Sequence, residues 1–158
     1  MTTRIRLFDA AFMDRLAAAA AAAPRRRQNF NLHSADDHPC HRFFNAMCAD
    51  TYVAPHRHLA PAKDETLVLL RGLLGVVIFD AQGQVEHSST LRPGMVADVP
   101  HGIFHTWVAL EDGTIFLEAK AGPYLPLQPA EKAPFAPPEG DPRAPAYLSW
   151  LKSLCPVP

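Results

Sequence analysis

The chain has 158 residues, 48% of them hydrophobic and 20% charged, with 15 Lys and Arg against 16 Asp and Glu for a net charge of −1. That length suits one domain with a single sizeable core, and the near-neutral balance offers no general attraction to nucleic acid or to an anionic membrane. Cys40, Cys48 and Cys155 are odd in number and lack CxxC spacing, which argues against a secreted disulfide framework and for a reducing compartment.

The first predicted element is a helix from about Asp9 to Ala23. Asp9 caps it, alanine has the highest helix propensity, and Pro24 ends it. Phe8, Phe12, Leu16 and Met13 supply one apolar stripe for packing on the main domain or on a second subunit. The apolar run from Leu16 to Ala23 is not read as a signal peptide, because its positive charges, Arg25 to Arg27, follow it rather than precede it. No segment approaches the ~20 apolar residues that span a bilayer. A cytoplasmic protein without a membrane partner is expected.

From Phe43 to Glu118 the pattern changes to short β-rich runs: 43–47, 66–70, 73–79, 95–99, 106–110 and 114–119. Gly, Pro and Asp turns separate them, among them Arg71-Gly72, Arg92-Pro93-Gly94, Pro100-His101-Gly102 and Glu111-Asp112-Gly113. Many short strands with no intervening helical pattern predict a mainly β, antiparallel sandwich or barrel. After Gly122 proline dominates, and since proline cannot donate to a sheet ladder this stretch reads as an extended strap. A short helix near Ala146 to Leu154 closes the chain. The expected organisation is an N-terminal helix and arm (1–35), a barrel (36–122) and a Pro-rich C-terminal extension packed on it (123–158).

The chemistry is concentrated in histidines. In extended backbone His56 and His58 point to the same side with Cα atoms about 6.5 to 7 Å apart. Two such imidazoles converge on one ion at metal–nitrogen distances of roughly 2.0 to 2.1 Å. Glu65 opens the next strand with a hard oxygen donor, and His105 follows the tight turn Pro100-His101-Gly102. An HxH pair alone is a weak signal. Its strength comes from order: HxH, Glu65, Gly72 seven residues on, and then a PxGxxH run.

That ordered combination resembles the cupin superfamily, whose first motif is G(X)5HXH, then Glu, six residues and Gly, and whose second is G(X)5PXG(X)2H(X)3N. Gly94, Pro100, Gly102 and His105 fit the second motif, and Glu65 and Gly72 the end of the first. Three departures stand out. Asp50 replaces the first glycine, six residues instead of three or four separate His58 from Glu65, and Ala109 replaces the final Asn. The stretched gap leaves Asp64 as an alternative to Glu65. A narrower resemblance, to the WbuC-family cupin fold metalloproteins of bacterial surface-polysaccharide gene clusters, runs through 27–33, His41-Arg42, 52–58, 65–72 and Gly122-Pro123-Tyr124. It implies a single-domain cupin, a double-stranded β-helix or jelly-roll barrel. It also implies one divalent ion (Zn, Fe, Mn, Ni or Co) on His56, His58, Glu65 and His105, a homodimer, and a link to sugar metabolism.

Arg27, Asn29, Asn31 and Arg42 are the candidate substrate-binding residues at the barrel mouth, where an arginine fork suits a carboxylate or phosphate. Arg25 and Arg26 read as a solvated helix exit. His33, Tyr52 and Tyr124 are the candidate acid/base groups. His38, His87 and His101 read as loop or turn residues without partners, and Phe104, Trp107 and Phe116 as core. The leading expectation is a metal-dependent isomerase or epimerase acting on a small polar molecule such as a sugar. The alternatives are an Fe(II)-dependent dioxygenase and a non-catalytic ligand-binding or sensing cupin.

Overall fold

The computed structural model describes residues 5–156. A helix, α1 (Ala10–Ala22), is followed by eight strands: β1 (Arg27–Asn31), β2 (Cys40–Met47), β3 (Glu65–Arg71), β4 (Leu74–Phe79), β5 (Val85–Leu91), β6 (Val96–Val99), β7 (Phe104–Ala109) and β8 (Thr114–Ala121). A 3-10 turn (Pro129–Glu131) and a second helix, α2 (Ala144–Ser153), complete it. Two antiparallel sheets form, one of five strands in the order β1-β2-β8-β3-β6 and one of three in the order β5-β4-β7. Leu67, Leu69 and Phe116 from the first sheet meet Leu74, Val76 and Trp107 from the second in the core between them.

The helix begins where the sequence places it, with the Asp9 carboxylate accepting from the Phe12 backbone N–H at 2.8 Å. Of its two expected docking sites, it takes the chain's own sheet. Leu16 and Ala20 pack on Phe44, Ala46 and Ile115, with Phe8 and Phe12 beside them. On the other side, α2 and the proline-rich strap bury Leu148, Leu151 and Cys155 against Val77, Phe79 and Val108 of the three-stranded sheet. Among the described residues no helix is long and apolar enough to cross a membrane.

Two strands are absent from the sequence reading. β1, within the expected N-terminal arm, pairs with β2 from Arg27↔Met47 to Asn31↔Phe43 and so belongs to the barrel sheet. β5 pairs with β4, which puts His87 in a strand instead of a loop, 2.6 Å from the Ser89 hydroxyl. Both are largely polar, β1 mostly exposed and β5 mostly half-buried, with little apolar alternation to announce them, and partner strands impose the extended form. Gly72 joins β3 to β4 at φ +83°, and a Cβ there would lie 2.5 Å from the Thr114 hydroxyl, so both conformation and space demand glycine.

Candidate metal centre

The HxH segment is held from both sides. His56 and His105 exchange backbone hydrogen bonds of 3.0 and 2.9 Å, the Gly102 N–H donates to the His58 carbonyl at 2.7 Å, and the Arg57 N–H donates to the Glu131 carbonyl at 2.9 Å. The strap, by its Ala133 N–H on the Pro55 carbonyl (3.1 Å), thus fixes the residues that carry the imidazoles. The Glu131 carboxylate also accepts from the Leu59 N–H at 2.9 Å.

Glu65 is 1% exposed and sits at the centre of the cluster. Its Oε2 is 2.7 Å from His105 Nε2, and its Oε1 is 2.9 Å from His58 Nε2 and 2.7 Å from the Lys120 ammonium. Ligand atoms of His56, Glu65 and His105 all lie within 4.8 Å of one another. Asp64, the alternative donor, is turned to other work: its Oδ1 accepts from the His101 backbone N–H at 2.8 Å and lies 2.9 Å from His101 Nδ1. His101, expected without a partner, therefore has one, and Asp64 pins the turn that delivers His105.

A carbonyl oxygen only accepts, so the Nδ1 atoms of His56 (3.1 Å from the Ala54 carbonyl) and His105 (2.9 Å from the Ile103 carbonyl) carry hydrogens. In neutral rings this leaves the Nε2 lone pairs free as donors, the second-sphere arrangement that orients metal-binding histidines. At His105 that lone pair faces a carboxylate oxygen at 2.7 Å, and only a positive centre, a proton or a metal ion, reconciles the two. Burial and the neighbouring His105 push His56 down to about 3, so it is neutral as a ligand must be. Burial alone would raise the Glu65 carboxyl, but hydrogen bonds from His105 and His58 and the Lys120 charge hold it well below the usual range. The residues present therefore fit a divalent ion by donor chemistry, charge and tautomer.

His56 and Glu65 of the cluster line an open cavity of about 770 Å³. Lys120 and Glu118 also line it, and the sequence reading passed over both. On β8, Phe116, Glu118 and Lys120 share the inward face by period-two alternation. Lys120 is in register with Glu65 on one side and His41 on the other, so Glu65, Lys120 and His41 form one row across three strands. Glu118 accepts from Lys120 at 3.0 Å and from Asn45 Nδ2 at 2.8 Å. Burial pushes the Glu118 carboxyl up to about 7. Burial opposes the Lys120 ammonium, but the charges of Glu118 and Glu65 more than offset this and hold its pKa above the ordinary lysine value. A lysine and a glutamate alternating with a core phenylalanine were the available signal.

Asn29, Asn31, His33 and Tyr124 line the cavity, His33 stacked on His41 with ring centroids 4.0 Å apart. Arg27 lines it too, yet its guanidinium is committed to Glu139 at 2.8 Å and to the Tyr52 carbonyl at 3.0 Å. Two candidates are misplaced. Arg42 is exposed on the outer face of β2, the face whose Phe44 and Ala46 are covered by α1, because inward positions on that strand alternate through His41, Phe43 and Asn45. Tyr52 is buried under α2 and the strap, its hydroxyl donating to the Pro137 carbonyl at 2.7 Å.

Two antiparallel sheets enclosing a histidine and glutamate cluster define a single-domain cupin fold. Solved structures with this fold include a cupin superfamily protein (DSY2733) from Desulfitobacterium hafniense, with a TM-score of 0.51 and 17% identity over 67% of this chain and 86% of that one. A conserved protein of unknown function, SPY1581, from Streptococcus pyogenes has a TM-score of 0.54 and 13% identity over 77% and 91%. Oxalate decarboxylase from Bacillus subtilis has a TM-score of 0.50 and 19% identity over 63% of this chain and 25% of that one. Identities this low speak to the fold alone. By sequence the chain belongs to the family described as Domain of unknown function (DUF6016), which it matches over residues 8–91. No curated protein matches it.

Proposed function

We propose that the protein is a metal-dependent enzyme in which His56, His58, Glu65 and His105 hold one divalent ion of the Zn, Fe, Mn, Ni or Co class, acting on a small polyhydroxylated molecule. The observation that carries this reading is the convergence of His58 and His105 Nε2 on the buried Glu65 carboxylate, 2.9 and 2.7 Å away, with the His56 and His105 Nδ1–H groups anchored on backbone carbonyls. Bound there, the ion supplies Lewis acidity toward a carbonyl or hydroxyl oxygen.

The chain's own groups do the rest. Asn29, Asn31 and Asn45 offer amides suited to hydroxyls at the cavity wall. Glu118, in the cavity and hydrogen-bonded on both oxygens, stands where it can take or give a proton beside the ion. Isomerisation or epimerisation of a sugar or sugar derivative uses these parts, and the WbuC-like motifs support a place in surface-polysaccharide metabolism.

Elemental analysis of untagged protein purified without added metal tests the foundation. About one ion per chain is expected, with His56→Ala reducing it severalfold or more and chelation lowering the thermal midpoint of the wild type, as ligand removal requires. Protein that folds fully and carries no metal overturns the reading. A second reading, oxygen activation at Fe(II), is favoured by the tight grouping of His56, Glu65 and His105, a two-His-one-carboxylate set. Oxygen consumption with iron and not with zinc selects it.

A further inference from the structure

Resting on the metal reading above, the charges around the cavity narrow the substrate class. Arg25, Arg27 and Lys120 contribute positive charge to its walls, and Asp36, Glu65 and Glu118 negative charge. Glu139 adds a fourth carboxylate, bonded to both arginines at 2.5 and 2.8 Å. A divalent ion turns this near-balance into a net positive charge, which an anionic ligand neutralises.

The arginines are not free to receive it. Arg25 is bidentate on Glu139, through Nε at 2.8 Å and Nη2 at 2.5 Å, and Arg27 is spread over Glu139, Thr51 and the Tyr52 carbonyl. Lys120 differs. An ammonium has three N–H donors, and its protein partners are the two carboxylates of Glu65 at 2.7 Å and Glu118 at 3.0 Å. Its side chain keeps 20% exposure where those of Glu65 and Glu118 keep 2% and 5%. The remaining donor belongs to the cavity. Glu65 and Glu118 fix the nitrogen from two sides and Phe43 packs beneath it, 5.4 Å from ring centroid to nitrogen, so little freedom is lost when a ligand binds.

We propose that Lys120 is the anion-binding residue of the site, holding the carboxylate of a small polyhydroxy acid next to the metal ligand Glu65, so that the preferred substrate is a sugar acid and not a neutral sugar. A single directed N–H suits one carboxylate oxygen. An arginine fork would hold an anion by two bonds, but both forks are occupied, which leaves Lys120.

Calorimetric titration of the metal-loaded protein with D-gluconate and with D-sorbitol, which differ at the carboxylate, tests this. Gluconate is expected to bind at least tenfold more tightly. The double variant Glu118→Gln/Lys120→Met, which removes both partners and strands no lone charge on Glu118, is expected to erase most of that preference. Metal content, measured on the same samples, stays near one per chain. Equal affinity for the two ligands in the wild type, or a preference that persists in the folded double variant, overturns the assignment. Should the double variant not fold, the wild-type pair decides, a preference below twofold overturning it. Wild-type protein without metal instead sinks the underlying metal reading, so the two failures are distinguishable.

Discussion

Strands β3, β7 and β8 each change chemistry within a single inward face. β3 passes from Glu65 to Leu67 and Leu69, β7 from His105 to Trp107 and Ala109, and β8 from Phe116 to Glu118 and Lys120. One end of the barrel interior is an apolar core and the other a buried charged cluster, though each strand runs unbroken from one to the other, in both sheets. At the apolar end each side chain is stabilised by water's exclusion and by close packing, and its loss leaves a hole. At the polar end each group is stabilised by specific partners, and its loss leaves a charge with nowhere to go. The two ends therefore differ in how they fail.

Phe116→Ala gives the largest expected effect: a cavity in the core and a loss of about 3–5 kcal/mol in denaturant unfolding, with the candidate metal ligands left in place. Lys120→Met tests the other end. It removes the ammonium that the buried Glu65 and Glu118 share, and is expected to destabilise the metal-free protein by about 3 kcal/mol, at the low end for a broken buried pair because Lys120 is partly exposed. Adding Glu118→Gln should recover part of that loss, whereas no polar substitution should rescue Phe116→Ala. If Lys120→Met costs nothing, the charged end is not held by its partners and the contrast fails.

An exposed ion pair sharpens the comparison. Hydrogen bonds from Arg25 and Arg27, working against partial burial, lower the Glu139 carboxyl to about 2. A depressed carboxylate stabilises the fold above its unfolded value of about 4.3, and the contribution is lost as pH falls toward 2. With the Glu139 side chain 39% exposed, solvent screening limits it to about 1 kcal/mol or less. The difference in unfolding midpoint between wild type and Glu139→Gln should shrink across that window and vanish at its acid end. Smallest of all, Arg42→Ala, on the outer face of β2, should change stability by less than about 0.5 kcal/mol and leave ligand titrations unaltered.

Much of this was legible before any fold was known. Six strands, both helices, the strap and the four candidate ligands follow from local signals: apolar runs between Gly and Pro turns, a capping Asp9, and histidines at motif spacing. Spacing to Gly72 favoured Glu65 and left Asp64 as the alternative, and only three dimensions show where each carboxylate points. Neighbours in sequence on opposite sides of the chain, they point one carboxylate at the turn around His101 and the other into the cluster. Tyr52 and Arg42 went astray for the same reason, since nothing local says which face of a segment turns inward.

The sequence by itself determined the mainly β class and a histidine-rich inventory suited to a metal, because turn chemistry, strand propensity and ligand identity are properties of single residues and short spacings. Only the tertiary structure decided that β1 and β5 are strands, that Arg25 and Arg27 are spent on Glu139, and that Lys120 and Glu118 stand beside Glu65. Those outcomes depend on cross-strand register between residues such as Glu65 and Lys120, far apart in the chain, and register is set by the packing of whole sheets.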